Sequence, residues 1–320
     1  MLIILFLLIA FKLFFIAYPS VVLPAAREGL TLWLNNVLPA LLPFMVISNM
    51  LTAMGYSRLV GNFFAPIMRK VFALPGAGGV ALVTGLTSGY PLGAKAIADL
   101  RRTGQLTSQE AQHLLAFCNN AGPLFIIGVV GVGLFGSARF GYMLLAGHIM
   151  AALLVGVIVR AFMHKHRSAT YTKQERQHGY YTQNTAAPSF ESAFSGAIKA
   201  AVESIIVIGG VIIFFNVISA VILHAGLPDH RLFSGFATAL VEVTSGVRRI
   251  SETGISVASV AITAFAIAFG GISIHMQTLH FTDGTGIRAI YYILGKLLHG
   301  TVAAAVTLVL WLTIFRNFVV

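Results

Sequence analysis

The strongest constraint on this chain is a series of long apolar runs with few charged residues. Several of them, such as residues 140–163 and 289–315, are long enough to cross about 30 Å of hydrocarbon as helices. Of the 320 residues, 57% are apolar and only 10% are charged, whereas soluble domains carry about 25% charged residues. The sequence therefore predicts an all-α polytopic membrane protein that contacts the lipid bilayer.

Seven runs are long enough to be spans. They are residues 1–18, 30–54, 114–135, 140–163, 197–223, 255–276 and 289–315. The third is interrupted at residues 119–123 and the sixth at Gly270-Gly271. Residues 1–18 have the length of a signal peptide, but Lys12 lies inside the run and no basic segment precedes it, so we expect a retained first span.

Two further apolar runs are short and rich in glycine, at residues 76–93 and 231–249. Each carries the phrase Thr-Ser-Gly and each is followed by one of the interrupted spans. Short or broken segments at matching places in two halves indicate structural repeats and point to a transporter's binding site. We expect two re-entrant hairpins, with repeats at residues 1–163 and 193–320 joined by residues 164–192.

The joining segment, residues 164–192, is hydrophilic and basic, which favours a cytoplasmic location. If this linker is cytoplasmic, the number of spans on either side of it makes the two hairpins enter the cytoplasmic (inner) membrane from opposite faces. The two repeats are then inverted relative to each other. Arg231, Arg248 and Arg249 fall outside in this topology, against the usual distribution of charge. The net charge of +11 is assigned to basic cytoplasmic loops, and no binding of nucleic acid is expected.

The helix breaks hold the candidate binding residues. A break frees backbone groups that only protein or a water-filled cavity can satisfy, and Asn119 and Asn120 offer both donors and acceptors there. The alternative is a packing kink whose Asn side chains bond to neighbouring helices. Ser273 and His275 follow the second break as further candidates.

Glu242 lies inside an apolar run, and a carboxylate within a membrane is costly enough to suggest a function. We expect it to be the candidate for ion coupling. The alternative is a structural ion pair with Lys95 or Lys296.

Enzyme chemistry is not expected. The sequence holds no phosphate loop with its lysine, no zincin spacing and no nucleophile elbow. Its single cysteine, Cys118, excludes an internal disulfide and a cysteine-based metal cluster. No cofactor and no bound metal are predicted.

Several strings resemble the sporulation integral membrane protein family (YlbJ-like). They include residues 88–95 (SGYPLGAK), residues 119–128 (NNAGPLFIIG) and Gly270-Gly271-Ile272-Ser273. The resemblance covers roughly residues 30 to 315. It implies a Gate, or nucleoside recognition, domain in an inverted-repeat transporter with a site near the midplane of the membrane. It also implies that sporulating relatives move dipicolinate, a small aromatic dicarboxylate. The family positions carried over are Ser88, Tyr90, Lys95, Asn119, Asn120, Gly122, Glu242, Ser245 and Ser273.

The primary hypothesis is a transporter of a small organic anion by alternating access. A nucleoside-type transporter and a non-transporting membrane scaffold or regulatory module stay open. A ferrous-iron gate is disfavoured, because the chain has no attached nucleotide-binding domain and no thiol beyond Cys118. The oligomeric state is also left open, a homo-oligomer included.

Overall fold

A computed structural model describes residues 2–164, 189–224, 226 and 230–315. These residues form helices and connecting turns. The α-helices are α1 Leu2–Ala17, α2 Pro19–Leu32, α3 Leu38–Ala53, α4 Tyr56–Val71, α5 Gly78–Thr87, α6 Leu92–Arg102, α7 Ser108–Cys118, α8 Ala138–His164, α9 Phe190–His224, α10 Arg231–Val241, α11 Val243–Ser251, α12 Val257–Phe269, α13 Gly271–Thr282 and α14 Ala289–Leu310. Three π-helical segments lie within these described ranges, Trp33–Val37, Leu124–Leu134 and Trp311–Phe315. Most of the predicted linker 164–192 lies outside the described residues.

The predicted all-helical membrane class is confirmed. Among the described residues, four helices are long and apolar enough to cross a membrane: Ala138–Phe162, Phe190–His224, Val257–Thr282 and Ala289–Ile314. Large apolar side chains such as Phe6, Phe63 and Phe162 are more than two-thirds exposed, as on a surface that faces lipid. The seven-span layout and the inverted orientation of the repeats stay predictions.

The N-terminal region differs from the two separate spans, residues 1–18 and 30–54, that the sequence predicts. Helices Ile9–Ala17 and Pro19–Asn35 meet at an angle of 101° and make a fifth candidate span only if counted together. Residues 30–54 divide among α2, the π-helix Trp33–Val37 and α3. Pro39 lacks the N–H that would bond one turn back, and the backbone widens just before it, where Leu38 N–H donates to Trp33 O.

The first half breaks where the sequence predicts. Helix α5 ends at Thr87 and α6 begins at Leu92, so the turn falls on residues 88–91. Helix α7 ends at Cys118 and the next helix begins at Leu124. Helix α7 begins with a capping box, in which Thr107 and Glu110 each bond the other's backbone N–H.

The second half repeats this order of elements, two short helices followed by a broken helix and a long helix. Its short helices, α10 and α11, meet at Glu242. The phrase Thr244-Ser245-Gly246 therefore lies in the first turn of α11, whereas Thr87 of the first copy ends α5. Glu242 causes the difference, because its extended backbone ends α10 and its side chain caps α11. The other predicted break is present at Gly270, which has φ +92°.

Helix α14 sits at the centre of the packing, in contact with α7, α8 and α12. Small residues allow these helices to approach closely. A methyl group on Gly295 would lie 2.9 Å from Ala116 on α7, and one on Gly300 would lie 2.9 Å from the Phe265 ring on α12. Close packing of this kind replaces the hydrophobic effect as the force between helices in lipid.

Candidate functional site

The first hairpin, formed by α5 and α6, packs against the first helix break at residues 119–123. Gly85 on α5 and Gly93 on α6 both pack against the carbonyl oxygen of Cys118, so closely that a methyl group on either would collide with it. At the turn, Gly89 packs against the nitrogen of Gly122. The turn and the break are therefore held together backbone to backbone.

The second hairpin meets the second break in a similar way. Gly271, the first residue of α13, has φ +72°, and a methyl group there would lie 2.8 Å from Ala239 O on α10. Gly246 on α11 packs against the same Ala239. In each half of the chain, the junction of two short helices thus contacts the break in the helix that follows.

A cavity of about 140 Å³ lies among these junctions and breaks. Its walls are apolar on the side of α2, α3 and α9 and partly polar elsewhere. The lining residues are Leu32, Val37, Leu41, Phe44, Thr87, Ser88, Tyr90, Gly122, Leu124, Phe125, Val129, Ile208, Ile212, Glu242, Val243, Thr244, Ser273, Ile274 and Gln277. An apolar cavity of about 150 Å³ accommodates benzene, so this volume suits a single ring.

Three helices begin at the cavity. First-turn residues of α11 (Thr244), α13 (Ser273) and the π-helix Leu124–Leu134 (Leu124) all line it. The first N–H groups of a helix have no partner within the helix and carry its positive dipole end. The cavity therefore combines apolar walls with backbone groups that favour a negative charge.

Glu242 already satisfies one of these helix starts. Its carboxylate accepts hydrogen bonds from the backbone N–H of Thr244 at 3.1 Å and of Ser245 at 2.7 Å. The residue is only 2% exposed, and no ion pair to it is found within the described ranges. Lys95 and Lys296, the two partners that the sequence left open, have other contacts. Ser245 itself donates its hydroxyl to Asn216 Oδ1 at 2.7 Å.

Several side chains at the cavity hold buried polar atoms without a hydrogen-bond partner. They are Ser88 Oγ, Tyr90 OH, Ser273 Oγ and both polar atoms of Gln277. Buried polar atoms of this kind are nearly always bonded in folded proteins. These five atoms are therefore free to bond a polar group placed in the cavity.

Five predicted site residues line this cavity: Ser88, Tyr90, Gly122, Ser273 and Glu242. The structure places three others behind the wall. Asn119 donates to Thr278 Oγ1 at 2.8 Å and to Tyr292 OH at 3.0 Å. Asn120 donates to Phe117 O at 2.8 Å, and His275 Nδ1 lies 3.1 Å from the Tyr292 hydroxyl.

Lys95 is placed elsewhere. It lines a separate cleft of about 460 Å³ among α3, α5, α6 and α9. Its ammonium pairs with the Asp99 carboxylate at 3.1 Å. Arg231 and Arg248, which the predicted topology left unexplained, pair with Glu252 and Glu28 respectively.

Sequence reasoning missed a buried polar cluster beside the first break, formed by His148, Tyr292, Lys296 and His299. All four residues are at most 3% exposed. A charged residue inside a membrane run is itself a functional signal. Lys296 lies well inside the apolar run 289–315, so the sequence does contain this signal. From sequence alone, however, Lys296 was treated only as a possible ion-pair partner of Glu242. Gln277 was likewise not predicted as a cavity residue.

Fold and site together define an all-helical membrane protein whose cavity lies where two pairs of short helices meet two helix breaks. Comparison with known proteins agrees. Residues 34–163 match the Gate family, described as "Nucleoside recognition", and this region holds the first hairpin and the first break.

The chain is also similar to the sporulation integral membrane protein YlbJ of Bacillus subtilis (strain 168). The two are 32% identical over 322 aligned positions, which cover 92% of this chain and 79% of the relative. No solved structure matches. The chain belongs to the YlbJ family of sporulation integral membrane proteins.

Proposed function

We propose that this protein transports a small, single-ring organic acid across the membrane and binds it in the cavity between the two breaks. One observation carries the proposal: unpartnered polar atoms of Ser88, Tyr90, Ser273 and Gln277 surround a space of about 140 Å³, the size of one ring. Membrane cavities bounded by broken helices are where transporters hold their solutes.

The helix starts support an acidic solute. The N–H groups of a half-helix start favour anions, and substrate carboxylates bind to such groups in other transporters. In this chain the Glu242 carboxylate binds the start of α11 in that manner. The start of the π-helix at Leu124 and the first turn of α13, which includes Ser273, line the same cavity and would hold the solute's carboxylate.

Glu242 gives the proposal a coupling step. Two carboxylates that share a low-dielectric site repel each other unless one carries a proton. An acid bound in this cavity is close to Glu242, which lines it. The solute therefore enters together with a proton held by Glu242 or by the solute itself.

The family suggests which acid to test first. The relative in Bacillus subtilis is named a sporulation protein, and dipicolinate, pyridine-2,6-dicarboxylate, is the single-ring dicarboxylate that the family resemblance implies. Within the proposal, the protein lies in the cytoplasmic membrane with residues 164–192 on the cytoplasmic side, where their basic character favours them.

A nucleoside is the second candidate, on the observation that neither lysine nor arginine lines the cavity in the described part of the chain. Hydroxyl and amide groups suit a neutral heterocycle, and the matching family is described by nucleoside recognition. Against this, a nucleoside carries a base and a sugar, and the cavity has the volume of one ring.

Binding to purified protein in detergent tests both candidates. Titration calorimetry with pyridine-2,6-dicarboxylate, benzoate and uridine should show heat for the acids and none for uridine. Gln277→Leu should weaken acid binding, because it removes both polar atoms that Gln277 offers the solute. Thr301→Ala, on the exposed side of α14, is the control and should bind as the unmodified protein does. If uridine binds and the acids do not, the acid proposal is wrong and the nucleoside is the solute.

A further inference from the structure

We propose that Lys296 is a proton-binding switch. When protonated, it fixes the backbone at the first helix break, and when it loses the proton, this backbone loosens. Its role in transport rests on the proposed function, but the switch itself can be measured without any solute. Lys296 does not line the cavity, so this site is distinct from Glu242.

The contacts of Lys296 are all at the break. Its Nζ donates to the carbonyl oxygen of Asn119 at 2.7 Å and lies 3.0 Å from His299 Nδ1. Asn119 follows the last residue of α7, so its carbonyl is one of those that a helix end leaves free and negative. The lysine is completely buried and no carboxylate pairs with it within the described ranges.

The neighbouring histidines use their ring nitrogens as acceptors. The backbone N–H of Ala121, in the same break, donates to His148 Nε2 at 3.2 Å, so that nitrogen carries no proton. Lys296 donates to His299 Nδ1, and His299 Nε2 then donates to His148 O at 3.4 Å. Lys296 is thus the group in this cluster that brings a proton to the break.

Other titratable groups face Lys296 from each helix around it. His299 and Tyr292 share α14 with it, His148 lies on α8, His275 on α13 and Cys118 on α7. Helix α12 contributes none, since residues 257–269 contain no titratable side chain. Among these groups, Lys296 is the one bonded to a backbone carbonyl of the break.

Three residues of the break, Asn119, Asn120 and Gly122, connect Lys296 to the cavity. Asn119 O accepts from Lys296, Asn120 O accepts from the backbone N–H of Tyr90 in the hairpin turn, and Gly122 lines the cavity. A hydrogen bond from an ammonium is roughly twice as strong as one from a neutral donor. Loss of the proton therefore weakens the bond that fixes the end of α7, next to the hairpin turn.

Cys118 reports on this switch, because it is the only cysteine of the chain, is buried, and lies one residue before Asn119. The full chain in nanodiscs is treated with N-ethylmaleimide from mildly acidic to mildly alkaline pH. Each alkylation rate is divided by the rate for the SDS-unfolded chain at the same pH, which removes the intrinsic pH dependence of the thiol. We expect the ratio to rise about tenfold as pH rises and to be independent of pH in Lys296→Met.

Lys199→Met is the matched control, because Lys199 is exposed on α9, and it should titrate as the unmodified protein does. If Lys296→Met does not fold, His299→Gln serves instead: it removes one partner of Nζ, and we expect the midpoint of the curve to move. If the alkylation ratio depends on pH in the same way in the unmodified protein and in folded Lys296→Met, the proposal is overturned. It is also overturned if the midpoint in His299→Gln equals that of the unmodified protein. A pH-dependent ratio in a protein that binds no acid would support the switch and reject the proposed function.

Discussion

Gly89 and Gly122 meet backbone to backbone, so that a methyl group on Gly89 would collide with the Gly122 nitrogen. Gly89 lies in the turn of the first hairpin and Gly122 in the break of the helix that follows. Because both residues are glycine, the turn can approach the break without a side chain between them. The turn and the break consequently present Ser88, Tyr90 and Gly122 to one cavity.

Adding a methyl group to this junction should destabilise the protein. In Gly85→Ala the new methyl group would collide with Cys118 O, and overpacking of this kind costs about 1–3 kcal/mol. Thermal unfolding in detergent should show a lower midpoint. Gly210→Ala in α9 is the control, because nothing lies within 4 Å of that position. Equal midpoints for the two variants would mean that α5 is not held against α7.

Removal of the Glu242 carboxylate should also lower stability. Glu242→Ala leaves the N–H groups of Thr244 and Ser245 without their acceptor, and loss of such a cap costs about 0.5–2 kcal/mol. The midpoint of thermal unfolding is again the measurement. Glu252→Ala removes an exposed carboxylate that pairs with Arg231 and should change the midpoint much less, since exposed pairs contribute at most about 1 kcal/mol.

Filling the cavity should weaken binding of the acid without disturbing the fold. Val129 lines the cavity and Val132, on the same π-helix, is 52% exposed. Val129→Phe should lower the affinity for pyridine-2,6-dicarboxylate at least tenfold, because a second ring occupies the space. Val132→Phe should leave it unchanged. Calorimetric titration of both variants with the acid is the measurement. Equal affinities for Val129→Phe and Val132→Phe would mean that the acid does not bind in this cavity.

Lys95 should have only a small effect on binding. It lies in the separate cleft and pairs with Asp99, so Lys95→Gln should reduce the affinity for the acid by no more than about threefold, the size of a screened surface charge effect. A loss of a hundredfold or more in the same titration would show that Lys95 reaches the solute, as the sequence predicted.

Local features of this fold could be predicted from the sequence, and long-range ones could not. Proline, glycine and paired asparagines mark the breaks at residues 88–91 and 119–123, because these residues interrupt helical hydrogen bonding by their own chemistry. The different place of Thr-Ser-Gly in the two halves could not be predicted, since Thr244-Ser245-Gly246 is compatible with either the end or the start of a helix. Only the capping bonds of Glu242 decide between the two.

The candidate site divides along the same line. Ser88, Gly122 and Ser273 are adjacent to breaks in the sequence, and the structure brings them to one cavity. Asn119 and His275 are equally close to breaks but bond to Thr278 and Tyr292, behind the cavity wall. The side of a helix that a side chain occupies depends on packing between helices distant in sequence. The contact between Lys296 and Asn119, 177 residues apart, is of this kind.

Uptake of radiolabelled pyridine-2,6-dicarboxylate into proteoliposomes is the most direct test of the proposed transport. Vesicles with the full chain, with Glu242→Gln or without protein are compared, each with and without an inward proton gradient. The proposed function predicts accumulation in vesicles with the unmodified chain, stimulation by the gradient, and loss of that stimulation in Glu242→Gln. Uptake no greater than in protein-free vesicles, with or without the gradient, would contradict it.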